Sequence, residues 1–228
     1  MNAIGNKTGN KITLGEEAYN IFKEGILSGE IAKGEIFTQA FLAKKFNVAI
    51  SPLRVATTKL ESEGLIKVMS RSGIQIINTD FELTRNTYQL RVILEREGLR
   101  TYIRSVSEQE IDYFRQQHEL LKTEIIDSQD RLYAYKTLAK LDSELHTKFV
   151  LALDNKIITK SYLANEELIR LTRLDRVDLA SQEMMISTVN EHLALIDAIG
   201  NRDQKKALAT LDKHLETSIK RAMGLWGF

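Results

Sequence analysis

A single proline, Pro52, stands among 228 residues, with only 12 glycines beside it. These two residue types break helices and shape turns, and a sandwich or barrel of short strands needs many of them. A chain so poor in both, and rich in Leu, Ala, Glu and Lys, is predicted to be mainly α. Hydrophobic residues make up 43% of it, enough to fill a core, and its length suits one large domain or two ordinary ones.

Cysteine is absent. There is then no disulfide framework and no thiolate metal site, a reducing cytosol is the natural setting, and any metal ligands must be nitrogen and oxygen. The opening MNAIGNKTGNKITL has no apolar stretch of signal-peptide length, and no later run approaches a membrane helix. A cytoplasmic protein with no membrane partner is expected, associated with the nucleoid when bound to DNA. The net charge of +1 excludes a supercharged nucleic-acid coat but leaves room for a sequence-specific binder with a local basic patch.

Residues 1–12 are polar and rich in Gly and Asn, and read as a flexible arm. Thr13-Leu14-Gly15-Glu16 has the form of a capping box, and Leu14, Ala18, Phe22 and Ile26 follow at helical spacing until Gly29. Thr38 is placed to cap a second helix over 39–46. After the turn at Asn47-Val48, Ser51-Pro52 is expected to open a third helix, with serine as the cap and proline in the first position, running to about Ser62. Residues 65–69 and 74–77, joined through Ser70-Arg71-Ser72-Gly73, have the pattern of a small hairpin. Three helices and a hairpin over 13–78 make a winged helix-turn-helix. From 79 to 228 the pattern is helical throughout, with helices near 82–104, 108–127, 130–153, 156–176, 182–199 and 203–224, which together predict an all-α bundle.

The stretch from Tyr19 to Ile77 resembles the winged-helix domain of the GntR family of bacterial regulators. The resemblance lies in Ile26-Leu27-Ser28-Gly29-Glu30-Ile31, Gly34, Leu42-Ala43, Val48, Ser51-Pro52-Leu53-Arg54, Leu60 to Ile66 and Gly73. The remainder resembles the FadR-type ligand-binding (FCD-like) domain of that family, through Leu90-Arg91 with Leu94-Glu95, the Asp142/His146 pair, Glu191-His192, Ala198-Ile199 and His214. The resemblance implies a homodimer on a short palindromic operator of double-stranded DNA. It also implies a C-terminal domain serving dimerisation and effector binding, the effector often a small carboxylate beside a metal. Three departures stand out. Relatives often carry arginine at the position of Ile50 and glutamate at that of Val55, and Ala40 replaces a residue that is often charged.

A recognition helix offers its N-terminal residues to base edges while basic and hydroxyl groups hold phosphates. Ser51 and Arg54 suit the first task. Arg71, Ser72 and Gly73 at the hairpin tip suit phosphate or minor-groove contact, and Lys44 and Lys45 could add a phosphate contact. Without the family pattern these would be ordinary solvated charges and Ser51 a helix cap. Ile50 cannot read guanine through hydrogen bonds, but it can press on a thymine methyl.

Four histidines are present. His146 follows Asp142 by one helical turn on the line Leu138, Asp142, His146, Phe149; His192 lies on Met185, Val189, His192, Ile196; His214 lies on Leu211, His214, Ser218. Inward polar groups are unfavourable unless paired or ligated, so several in one domain point to a common partner. The short connection 200–203 makes two helices antiparallel, and at about 1.5 Å per residue His192 and His214 lie roughly 12 and 16 Å from it, nearly level. Asp142, His146, His192 and His214 are therefore candidate ligands for a divalent Zn, Ni or Mn ion. His118 is read as a hydrogen-bonded core residue. Arg91 is the candidate to pair with an anionic effector, the alternative being a surface ion pair with Glu95.

Three functions fit. The first is a regulator whose operator affinity follows a small organic acid bound beside the metal. The second is a metal sensor, and the third a metalloenzyme using the same Asp/His group. The third has no separate base, nucleophile or phosphate loop to support it. Metal occupancy is expected to weaken as pH falls through about 6.5, where a free histidine takes up its proton.

Overall fold

Residues 12–70, 73–127, 130–174 and 180–225 are described by the structure, a computed structural model. The chain divides into two compact units, Met1–Asn78 and Thr79–Phe228.

The first unit runs α1 (Leu14–Leu27), β1 (Ile36–Phe37), α2 (Gln39–Lys45), α3 (Ile50–Ser62), β2 (Ile66–Met69) and β3 (Gly73–Ile76). Helix α1 opens with a complete capping box: the Thr13 hydroxyl accepts from the Glu16 N–H, and the Glu16 carboxylate accepts from the Thr13 N–H. Ala18, Phe22 and Ile26 are buried, whereas Leu14 is exposed. The first-turn residue close to α3 is Gly15, whose missing side chain leaves room for Val55. Thr38 caps α2, as its position predicts.

Helix α3 begins two residues earlier than predicted, at Ile50 and not Pro52. Its N-cap is Ala49, with no side-chain cap bond, so Ser51 lies inside the first turn and not at the cap. Proline is tolerated there because the first N–H groups of a helix have no intrahelical acceptor to meet. The hairpin β2–β3 is joined by a third strand that the sequence does not announce. β1 pairs antiparallel with β3, giving the order β1-β3-β2, with Phe37 opposite Ile74. Gly73 has φ +120°, and a Cβ on it would stand 2.4 Å from the Phe37 carbonyl oxygen, so the wing admits no side chain at that point. Three helices and a three-stranded sheet around Leu42, Leu53, Leu60, Leu65 and Ile74 complete the winged helix-turn-helix.

The second unit is an all-α bundle of α4 (Phe81–Ser105), α5 (Glu108–Asp127), α6 (Arg131–Leu151), α7 (Lys156–Arg173), α8 (Gln182–Gly200) and α9 (Gln204–Ala222). Asp80, Asp130, Asn155, Ser181 and Asp203 each cap the helix that follows them with a side-chain oxygen. Helix α4 packs on α6, α7 and α9, while α8 packs on α5, α6 and α9. A continuous apolar core links Leu99, Phe114, Leu145, Phe149, Val189, Ile196 and Leu211. At the crossing of α4 and α6 a Cβ on Gly98 would lie 2.3 Å from the Phe149 carbonyl oxygen, so the two backbones approach as closely as they do only because Gly98 has no side chain.

Alanine favours an exposed helix interior over glycine by about 1 kcal/mol. At Gly98 the sign should reverse, with Gly98→Ala lowering stability by about 1–3 kcal/mol through overpacking. Urea unfolding of the full chain would measure it; a variant as stable as the parent would refute the close approach.

Candidate metal centre and nucleic-acid interface

Three helices bring the predicted ligands to one place. Asp142 and His146 stand one turn apart on α6, His192 on α8 and His214 on α9, and all four are buried. One donor atom from each lies within 4.8 Å of every other. His192 Nε2 is 3.4 Å from His214 Nε2, and Asp142 Oδ1 is 3.3, 3.7 and 3.8 Å from Nε2 of His192, His214 and His146. A tetrahedron with bonds of 2.0–2.1 Å has edges of about 3.3 Å, so these separations are close to those of a small coordination shell.

The far side of each imidazole fixes which nitrogen faces the centre. His146 Nδ1 lies 2.6 Å from Glu95 Oε2, and His214 Nδ1 lies 2.8 Å from Glu191 Oε2. With carboxylates as acceptors, both Nδ1 atoms carry the proton and both Nε2 atoms present a lone pair. The third partner is His118, itself buried. Its Nδ1 is 2.6 Å from the Phe114 carbonyl oxygen and its Nε2 is 3.1 Å from His192 Nδ1. A carbonyl only accepts, so His118 donates from Nδ1, its Nε2 accepts from His192 Nδ1, and His192 Nε2 also faces inward unprotonated. Nε2 of His146 has no hydrogen-bond partner among the described residues. The donor set fits a divalent ion: three neutral nitrogens and a carboxylate, each imidazole bonded on its far side as metal-bound histidines usually are.

Electrostatics act in the same direction. Burial, with the nearby Arg91 guanidinium, holds His146 well below its usual range. Burial also lowers His192 and His214 despite the carboxylates beside them. Burial and the neighbouring His192 bring His118 down to about 4. Asp142 would be raised by its burial, but Arg173 and Arg91 outweigh that and hold it well below the carboxylate range. Glu191, opposed by its own desolvation, is carried down to about 2 by His214 and Arg221.

Arg91 is fully buried, and its pairing with Glu95 is internal, not the surface ion pair that helical spacing alone allows. Its Nε donates to Glu95 Oε1 at 2.5 Å and its Nη2 to Asp142 Oδ2 at 3.4 Å. It does not line the cavity of about 260 Å³ that opens beside Asp142. Among the described residues the arginines that do are Arg173, whose Nη1 donates to Asp142 Oδ2 at 2.9 Å, and Arg221. Sequence reading missed Arg173 and gave His118 no part in the centre. His118 sits on the apolar stripe Ile111, Phe114, Leu121 and Ile125 of α5, which was its only signal.

In the winged unit, Ser51, Arg54 and Lys44 are exposed, as is Ile50. Arg54 Nε donates to Gln39 Oε1 at 3.3 Å, which ties the start of α2 to α3. Lys45 is paired with Glu30 at 3.1 Å. Gly73 stands at the start of β3, whereas Arg71 and Ser72 lie outside the described residues.

A winged helix-turn-helix joined in one chain to a helical domain with a buried polar centre defines a two-domain DNA-binding regulator. Residues 14–76 match the family of bacterial regulatory proteins described as the gntR family, and residues 86–217 match the FCD domain. The chain belongs to the GntR family, with an FCD domain as its C-terminal part, and so to transcriptional regulators that bind operator DNA. This sets aside the metalloenzyme alternative. It is 27% identical over 199 residues to the Nta operon transcriptional regulator of Aminobacter aminovorans, covering 84% of this chain and 88% of that one. To the HTH-type transcriptional regulator YdhC of Bacillus subtilis it is 33% identical over 101 residues, a stretch that spans 44% of this chain and 45% of YdhC. Among solved structures, E. coli McbR/YncC shares the fold with a TM-score of 0.77 at 12% identity, over 95% of this chain and all of that one. A metal-free FCD domain of TM0439 aligns at 23% identity with a TM-score of 0.54, over 65% of this chain and 96% of that one. Among the described residues no helix is long and apolar enough to cross a membrane.

Proposed function

We propose that this regulator changes its operator affinity when a small carboxylate binds beside a divalent ion held by Asp142, His146, His192 and His214. One observation carries the reading: four atoms with inward lone pairs, three imidazole nitrogens and a carboxylate oxygen, share a buried space. Lone pairs repel one another there unless a cation or shared protons lie between them, and burial disfavours protonated imidazole. Zn, Ni and Mn suit such ligands, and the ion would supply the positive charge that an effector carboxylate neutralises. The adjoining cavity favours an organic effector over the metal alone as the signal.

Within this reading Arg173 takes the effector contact that guanidinium chemistry suggested for Arg91, because Arg173 lines the cavity. Arg91 holds the Asp142 carboxylate from behind. DNA contacts fall to Ser51 and Arg54 at the head of α3, to Lys44 and Lys45 for phosphates, and to the wing at Arg71, Ser72 and Gly73. The protein acts as a homodimer on a two-fold operator. Effector control requires that the ligand bind the DNA-competent and DNA-incompetent states with different affinity.

Electrophoretic retardation of the protein's own upstream DNA tests the whole reading. Retardation should be sequence-dependent at moderate salt and should change on adding metal plus an organic acid; protein indifferent to sequence would sink it. Arg54→Ala should relax base preference at one position per half-site and cost about 1–3 kcal/mol there. Lys44→Ala should weaken all sequences alike and reduce the salt slope by about one.

Elemental analysis should find about one divalent ion per chain, lost in Asp142→Ala/His146→Ala. Because burial holds the three imidazoles below their ordinary range, they stay neutral as pH falls through about 6.5. Affinity measured by chelator competition should therefore hold to that pH and decline only below it. A decline centred on 6.5 would show ordinary, exposed histidines.

His118→Leu removes the acceptor for His192 Nδ1–H and should weaken metal binding by about 10- to 100-fold. His118→Gln, whose side-chain oxygen can accept that proton, should restore part of the loss. Equal affinity in all three proteins would remove His118 from the centre.

A further inference from the structure

The effector cavity has a polar corner and apolar walls, and the division restricts what can occupy it. All of the corner's hydrogen-bonding groups converge on Arg173. Its Nη1 donates to Asp142 Oδ2 at 2.9 Å, its Nη2 to Ser218 Oγ at 3.3 Å and its Nε to the Tyr88 hydroxyl at 3.4 Å, while Tyr88 and Ser218 are bonded to each other at 3.1 Å. Away from this corner the lining is Leu138 and Ala139 of α6, Met184 of α8, Ala222 of α9 and Tyr135. Two further polar residues of the lining, Thr188 and Arg221, have bonds within the protein. Thr188 Oγ1 donates to the Met184 carbonyl at 3.0 Å, and Arg221 donates through both terminal nitrogens to Glu191, and to Ser187.

We propose that the effector is a compact acid with one carboxylate and an apolar body, an aromatic or branched-chain monocarboxylate, and not a polyhydroxy acid. The inference rests on the effector reading above and narrows it. The carboxylate meets the Arg173 guanidinium, whose planar donors match it, at the edge of the Asp142 group. The body lies among Leu138, Met184 and Tyr135, where removing apolar surface from water is favourable. A sugar acid would bring several hydroxyls against the carbon of Leu138, Ala139, Met184 and Ala222, and a buried hydroxyl without a partner is unfavourable. At about 260 Å³ the cavity lies just below the usual drug-sized range of about 300–1,000 Å³, a size that suits a compact acid.

The test uses full-length protein loaded with Zn²⁺ and titrated calorimetrically with benzoate, 4-methylpentanoate, D-gluconate, citrate and inorganic phosphate. Benzoate or 4-methylpentanoate should bind at least tenfold more tightly than gluconate, citrate or phosphate. Arg173→Gln should lose that binding while keeping its metal. Met184→Gln, which changes the apolar wall and leaves the Arg173 corner in place, should weaken the two apolar acids at least threefold and leave gluconate unchanged. Gluconate or citrate binding as tightly as either apolar acid would overturn the proposal and leave the effector reading standing. If metal-loaded protein that still retards its operator binds none of the acids, the effector reading fails and this proposal with it.

Discussion

Three imidazole nitrogens and one carboxylate oxygen point at the same buried volume, and much of the helical domain is arranged to keep them there. Each histidine is restrained on the opposite side of its ring, by Glu95, by Glu191 and by His118. Those partners are themselves held. Glu95 accepts from Arg91 and from the Tyr162 hydroxyl, Glu191 accepts from Arg221, and His118 is anchored to the Phe114 carbonyl. The network therefore runs through all six helices of the second unit, since these residues come from α4, α5, α6, α7, α8 and α9. Buried polar groups arranged in this way specify one packing of the bundle, because a shift of any helix would leave a charge or a donor unpaired.

The apolar core supports that arrangement. His146 and Phe149 lie in contact on α6 with ring centroids 5.4 Å apart, and the Phe149 backbone is the one Gly98 approaches on α4. Glu95 lies one turn before Gly98 on the same helix. A residue with a side chain at 98 would move α4 away from α6 and draw the Glu95 carboxylate from His146 Nδ1. The packing constraint and the polar constraint thus meet at a single helix crossing.

Much of this was legible in the sequence because helical period is a strong signal. Asp142 and His146 share a face by spacing alone, and the level of His192 with His214 follows from the short turn between α8 and α9. The winged unit could be read from Thr13, Thr38 and the hairpin, whose turn and cap chemistry is local. β1 could not be read: two residues, Ile36 and Phe37, have no period, and they form a strand only because β3 offers an open edge. Ser51 looked like a cap because serine before proline has that form, yet the chain enters the helix two residues sooner, at Ile50 and not Pro52. His118 and Arg173 were hidden for a different reason. The meaning of each depends on a residue of another helix, and spacing within one element cannot supply the partner.

The separation of Arg91 from Arg173 shows how two like charges come to do different things. Both reach Asp142 Oδ2, and either would look like an anion-binding residue from its type alone. Arg91 has no exposed surface and is matched by Glu95 on the next turn of its own helix, so its charge is neutralised within the protein. Arg173 ends α7 at the cavity wall, with Asp142 as its carboxylate partner, the same carboxylate that the metal would share. Once a divalent ion takes up the negative charge of Asp142, the charge of Arg173 is no longer balanced. In the function proposed above, the cavity would then acquire an attraction for an anion that it lacks without the ion, and metal binding and acid binding would be linked through one carboxylate.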